Sequence, residues 1–190
     1  MDDIKDWITT IESIKLPRWD DLPNIDLYVD QVIEYITEQV GLIFITSPGT
    51  FDKILTASMV NNYVKNSIMP APIKKKYSKD HVAFIIAITV LKQVSSLASL
   101  SNGIRYITNK FGKVEAFNLL ITYLENSLRA MIAEINGAPD VKYFQEPLEI
   151  DLLPLKTTTI AFASKMMSEY LLNQLKQTNG EKEKKWERLQ

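Results

Sequence analysis

The chain has 190 residues, with 22 Lys and Arg, 23 Asp and Glu, one His and no Cys. That length can bury a sizeable core in one large domain or two small ones, and the missing thiols exclude disulfides and thiolate metal sites. The net charge of −1 conceals three blocks, −8 over residues 1–52, +9 over 53–114 and −2 over 115–190, so the basic middle offers either a footprint for an anionic partner or a face for the acidic N-terminal segment.

In chain order, MDDIKDWITTIESIK has neither a basic start nor an apolar run, which predicts no secretory signal. LPRWDDLPNI, residues 16–25, holds two prolines and a tryptophan, a composition for extended chain anchored by Leu16, Trp19 and Leu22. A helix follows from Asp26, with Val29, Val32, Ile33, Ile36 and Val40 on one face and Gly41 weakening or ending it. FITSPGTFDK reads as a loop turning at Ser47-Pro48-Gly49.

Thr56 is an N-cap for a helix that buries Met59, Val60, Tyr63 and Val64, and Pro70 and Pro72 are expected to stop it. Ser78 is a second N-cap, with Asp80 where negative charge complements the helix dipole. VAFIIAITVL is apolar all round, the mark of a helix surrounded by others and the expected centre of the fold. At about 15 Å as a helix, this stretch from Val82 to Leu91 cannot span a bilayer, so the expectation is a cytoplasmic protein with no membrane partner.

A shorter helix is expected from Ser99 or Ser101 to Phe111, capped at Gly112. A longer one from Glu115 carries Phe117, Leu120, Ile121, Leu124, Leu128, Met131 and Ile135 in a stripe and ends at Asn136-Gly137. Residues 138–155 connect it to a last helix from about Lys156, which turns Phe162, Met166, Tyr170 and Leu171 inward and stops near Asn179-Gly180. Strand-like alternation is not convincing anywhere, so the fold class is all-α.

Chemistry concentrates in residues 56–80. Ser58, Asn61, Asn62 and Lys65 fall at i, i+3, i+4 and i+7, one polar helix face opposite the apolar stripe. Asn pairs with adenine through two hydrogen bonds, Ser serves several bases and Lys suits phosphate. Residues 53–79 contain no acid but six lysines, Lys53, Lys65, Lys74, Lys75, Lys76 and Lys79. The plainer reading is a solvated helix face beside a lysine-rich loop.

The run from Met59 to Asp80 resembles the DNA-binding half of MerR-type regulators. There a recognition helix ending in an aromatic is followed by a hydrophobic pair, a proline, a basic wing and a Tyr-Ser/Thr-x-Asp helix start. Tyr63, Ile68-Met69, Pro70, Lys74 to Lys76, Tyr77, Ser78 and Asp80 stand at those positions, and LKQVSSLASL resembles the end of the next MerR helix and its turn. The chain departs from the pattern at Asn61, where the family has arginine, at Ser67, where it has glycine, and in a shorter wing. A loop also replaces the short helix that would precede the recognition helix. More of the chain, about residues 15–110, is similar to a bacterial family of domains of unknown function, number 1836, through Leu-Pro-Arg-Trp, Asp-Leu-Tyr and Asn-Asn-Tyr-Val-Lys in that order. That resemblance implies a cytoplasmic bacterial protein and supplies no activity.

Catalytic signals are poor. His81 is the single histidine, in the first turn of a helix, where capping is the simpler role. Glu34 and Glu38 have no Glu-x-x-His beside them, and no nucleophile elbow, phosphate loop or dinucleotide fingerprint occurs. We therefore expect no enzyme, no catalytic or metal-binding residues and no cofactor.

Taken with the MerR-like resemblance, the organisation is a short-winged helical DNA-binding region with an N-terminal extension in 1–113, a helical region in 114–180 for core completion, dimerisation or an effector, and a charged tail in 181–190. The expectation is a transcriptional regulator that binds double-stranded DNA as a homodimer, with any effector unnamed. Ser58, Asn61 and Asn62 would read bases, Lys65 would meet phosphate, and Lys74, Lys75, Lys76 and Lys79 would grip the backbone. The alternative is a helical interaction module that has lost DNA binding, its basic face turned to an acidic partner.

Overall fold

The computed structural model describes residues 2–44, 53–143 and 149–187, with side chains from Trp7 to Leu175. The described residues form seven α-helices: α1 Asp2–Ser13, α2 Val29–Val40, α3 Ala57–Lys65, α4 Lys79–Leu91, α5 Leu97–Phe111, α6 Lys113–Ile135 and α7 Leu153–Glu187. They contain no β-strand, only the isolated bridges Leu27 with Tyr77 and Ile73 with Lys76. None of these helices is long and apolar enough to cross a membrane.

α4 is the centre. Nine of its residues are buried, among them Val82, Ile85, Ile86, Ile88 and Val90 at 0% exposure, as expected of a helix apolar on every side. Around it one core runs from Ile11 and Ile14 of the N-terminus to Phe162, Ala163, Met166 and Met167 of α7. Phe44 meets Phe162 edge-on at 5.5 Å, and Trp7 stacks on Tyr170 at 5.3 Å.

α7 sets out beside Tyr123 of α6 and runs in the same direction as that helix. Lys156 lies 5.3 Å from the Tyr123 ring, and one turn on, the buried hydroxyls of Ser127 and Thr159 hydrogen-bond at 3.0 Å.

Several boundaries differ from expectation. α2 starts at Val29 rather than Asp26, because Leu27 is held extended by two backbone bonds to Tyr77 of 2.9 and 2.8 Å. α5 starts at Leu97 with Ser96 as its cap, the Ser96 hydroxyl accepting from the Ser99 N–H at 3.2 Å, so Ser99 is a bonded partner inside the first turn. α6 begins at Lys113, two residues before Glu115, and Ile135 at its end is 42% exposed. α7 begins three residues before Lys156, with Pro154 in the first turn, where its missing N–H costs nothing. It also runs past Asn179-Gly180 into EKEKKWE, where good helix formers outweigh about 1 kcal/mol lost at a glycine. Leu171 is exposed, not inward. Most of the Ser47-Pro48-Gly49 loop and the side chain of Trp186 lie outside the described residues.

The N-terminal segment is extended as expected except for a single 3-10 turn at Trp19–Asp21, with Leu16 and Leu22 buried and Trp19 half-buried against Phe117. What holds it was not legible: Glu125 of α6, 6% exposed, accepts the Leu16 N–H at 2.9 Å on Oε1 and the Arg18 guanidinium at 2.8 Å on Oε2. Asn118 accepts the Trp19 N–H at 2.9 Å, and Asp21 accepts the Arg18 N–H at 2.8 Å. Pro17 has no N–H, so every donor of Leu16 to Trp19 is satisfied by a side chain. Arg129 adds an ion pair to Glu125 at 3.5 Å and a bond to the Ile14 carbonyl at 3.2 Å.

Removing the carboxylate strands the Leu16 N–H and a partly exposed guanidinium, so Glu125→Ala is expected to cost about 3 kcal/mol and roughly 6 to 12 °C in Tm. Urea and thermal unfolding measure it, and a loss under about 1 kcal/mol would deny the clamp this role.

Candidate nucleic-acid interface

α3 is built as its sequence requires. The Thr56 hydroxyl accepts the Met59 N–H at 3.2 Å, Val60 and Tyr63 are buried, and Met59 and Val64 are half-buried. The opposite face, Ser58, Asn61, Asn62 and Lys65, is exposed. The helix does not wait for Pro70 or Pro72 to end. The Ile68 N–H bonds the Tyr63 carbonyl at 2.9 Å, the Ser67 N–H bonds Val64 at 3.0 Å, and Ser67 takes φ 54°. This is a Schellman stop with serine in the left-handed position that glycine usually fills.

A second left-handed feature lies just beyond. Ile73 and Lys76 exchange backbone bonds of 3.1 and 2.9 Å, and between them Lys74 and Lys75 take φ 50° and 64°. Positive φ at both central residues marks a type I′ turn, for which Asn-Gly is the favoured pair. Placing two lysines there costs about 1 to 2 kcal/mol each. Both are exposed at the tip, and Tyr77 then pairs with Leu27. The basic wing is therefore a two-residue turn attached to the N-terminal segment.

The eight candidate side chains are not equally placed. Asn62 Oδ1 accepts from Asn66 Nδ2 at 2.7 Å, so only Asn61 of the pair keeps its carboxamide unengaged among the described residues. Asn66 was not singled out from the sequence, although an Asn four residues on is the signal for such a pair. Lys76 lies 5.4 Å from the Tyr28 ring. Lys79 is drawn away from the tip: its ammonium donates to Asn24 Oδ1 at 2.9 Å and lies 5.8 Å from the Trp19 ring. None of Lys53, Lys65, Lys74, Lys75, Lys76 and Lys79 enters an ion pair among the described residues. No described carboxylate of the N-terminal segment therefore lies within ion-pair distance of these six lysines.

Sequence reasoning also missed Lys92, directly after the apolar run. Its ammonium donates to the Tyr63 hydroxyl at 3.0 Å, to the Ile54 carbonyl at 3.2 Å and to Met59 Sδ at 3.2 Å, fastening α3 to the end of α4. Burial lowers the Lys92 pKa and pushes the Tyr63 pKa up to about 12. His81 has a capping part, its Nδ1 accepting the Ser78 N–H at 3.1 Å, and Asp80 pairs with Lys113. The described residues hold no group of three His, Cys, Asp or Glu side chains able to bind a metal ion.

The family described as Domain of unknown function (DUF1836) matches residues 17–127. The chain belongs to this family. The DUF1836 region takes in Arg18 and Glu125, both ends of the clamp, together with α2 to α5, the basic turn and much of α6. No curated protein and no solved structure matches the chain.

Two outcomes follow. Ser67→Gly relieves a left-handed serine and is expected to stabilise the protein by about 1 kcal/mol in urea unfolding, with no loss of helix by circular dichroism. Because the Tyr63 pKa is raised above its ordinary 10.0, its contribution is complete below pH 10 and is lost as pH rises through about 12. The lowered Lys92 pKa acts oppositely, favouring the fold as pH climbs toward 10.5. Tyr63→Phe should therefore lose less stability than wild type between pH 9 and pH 11.5, and an unchanged difference would exclude Tyr63 as a source of the alkaline limb.

Proposed function

We propose that this DUF1836 protein is a non-enzymatic, DNA-binding transcriptional regulator. α3 enters the major groove, where Asn61 and Ser58 read base edges and Lys65 meets phosphate, while Lys74, Lys75 and Lys76 hold the backbone beside it. Lys79 serves mainly to join the strip to the N-terminal segment, and Asn62 contributes only the donor half of its amide. The protein acts as a homodimer, which sets half-site spacing. The MerR-like order of Tyr63, Ile68-Met69, Pro70, the lysines and Tyr77-Ser78 supports the same assignment.

One observation carries the reading: an exposed polar helix face and an exposed lysine turn, with no ion pair to any strip lysine among the described residues. Two lysines in left-handed backbone at the tip strengthen it, since such conformations gather at functional sites. The interaction-module alternative has its own support in the contacts of Asn24 and Tyr28 with Lys79 and Lys76, which cover the base of the strip.

The test is binding to the protein's own upstream DNA across a salt series. Lys74→Asn with Lys75→Gly removes two charges while giving the turn its preferred residues, so lost binding reports charge and not misfolding. The slope of log K against log salt is expected to fall in magnitude by about 1.8, and binding at low salt to weaken at least tenfold. An unchanged slope, or no binding by the wild type at low salt, would sink the assignment.

A further inference from the structure

A cavity of about 230 Å³ opens between α4, α5, α6 and the first two turns of α7, with Trp19 at its mouth. It follows from side-chain size. Most of α4 is walled by Ile85, Ile86, Ile88 and Val90, which admit no water. The side turned to the cavity carries Ala83 and Ala87 one turn apart, with exposures of 5% and 8%, between the larger Phe84 and Leu91. Gly103 of α5, exposed at the rim, and Ala116 of α6 line the same space, and a Cβ on Gly103 would meet nothing within 4 Å. Small residues stand where larger ones would close the contact between helices. The cavity consequently lies on a seam: Ala83 and Ala87 belong to the main core, whereas Ile107 and Ala116 belong to a separate cluster with Leu152.

The chemistry of the walls restricts what fits. The lining is aliphatic and aromatic, with Phe84, Ile104, Phe117 and Leu120 supplying most of its bulk. Of its four hydroxyls, Thr108 donates to the Ile104 carbonyl at 2.8 Å, Thr158 to the Pro154 carbonyl at 2.6 Å, and Ser99 is hydrogen-bonded to Ser96 at 2.8 Å. Only Ser95 keeps an unengaged hydroxyl among the described residues. The two charges at the mouth, Asp80 and Lys113, are paired with each other beside Trp19. A charged ligand would have to break that pair or stay unpaired itself, whereas an apolar one sacrifices no hydrogen bond on entering.

We propose that this cavity is a binding site for an uncharged, apolar small molecule of about nine non-hydrogen atoms. The size follows by proportion, since an apolar cavity of about 150 Å³ accommodates the six carbons of benzene. The site stands whether or not the protein binds DNA.

The experiment titrates the full chain with ethylbenzene, and with phenylacetate as the charged molecule of similar size, followed by calorimetry and by methyl NMR of Ala83, Ala87 and Ile104. Ethylbenzene is expected to bind saturably with Kd on the order of 0.1 to 1 mM and to raise Tm. Gly103→Leu covers the open rim and improves helix propensity, so it should fold at least as well as wild type and bind ethylbenzene at least tenfold more weakly. Ala87→Leu provides a second filling from the opposite wall. Absence of saturable binding, undiminished affinity in both folded variants, or phenylacetate binding as tightly as ethylbenzene would each overturn the proposal.

Discussion

The buried carboxylate of Glu125 is the constraint on which the rest of the arrangement depends. An extended segment has no helix or ladder to satisfy its backbone, so each N–H from Leu16 to Trp19 needs a partner brought from elsewhere. Glu125, Asn118 and Asp21 supply those partners. Because two of the three are on α6, the segment has one place to lie. That place sets Trp19 at the mouth of the apolar cavity and carries the chain to Leu27, whose bridge to Tyr77 positions the lysine turn. One carboxylate more than 100 positions away in the chain thus orders the N-terminal segment, the cavity rim and the base of the basic strip.

The strip's backbone takes conformations that side-chain-bearing residues seldom adopt. Ser67, Lys74 and Lys75 are left-handed residues without glycine, within nine positions that also contain Pro70 and Pro72. Underneath, Lys92 ties Tyr63, Met59 and the Ile54 carbonyl together, so α3 cannot rock without unsatisfying a half-buried ammonium. Charge is distributed with equal economy. Among the described residues the N-terminal segment reaches the strip through the neutral groups of Asn24 and Tyr28, and none of its carboxylates forms an ion pair with a strip lysine.

α4 supports both candidate sites by different means. Its first turn pairs Asp80 with Lys113 at the cavity mouth, and Lys92 immediately beyond it anchors α3. Between these ends, branched side chains seal the core on one side, while Ala83 and Ala87 leave the other open. The apolar run is uniform in polarity but not in volume, and the cavity is a consequence of volume.

Much of this was readable without coordinates where the deciding forces are local. The all-α class, the Thr56 and Ser78 caps, the burial of α4, the Gly112 cap and the stop at Asn136-Gly137 each depend on residues within a turn of one another. So does the shared exposed face of Ser58, Asn61, Asn62 and Lys65. The stop of α3 at Ser67 was missed because a left-handed serine is uncommon, and the prolines beyond were the more conspicuous signal. The run of α7 past Gly180 was missed because one weak helix former does not outvote its neighbours. Partnerships between distant residues lay beyond any local pattern: Glu125 with Arg18, Lys92 with Tyr63, Lys79 with Asn24, and the four small residues around one cavity. Hydrophobic periodicity tells which face of a helix turns inward. Which carboxylate meets which N–H, and where small side chains coincide to leave space, is decided only when the helices pack.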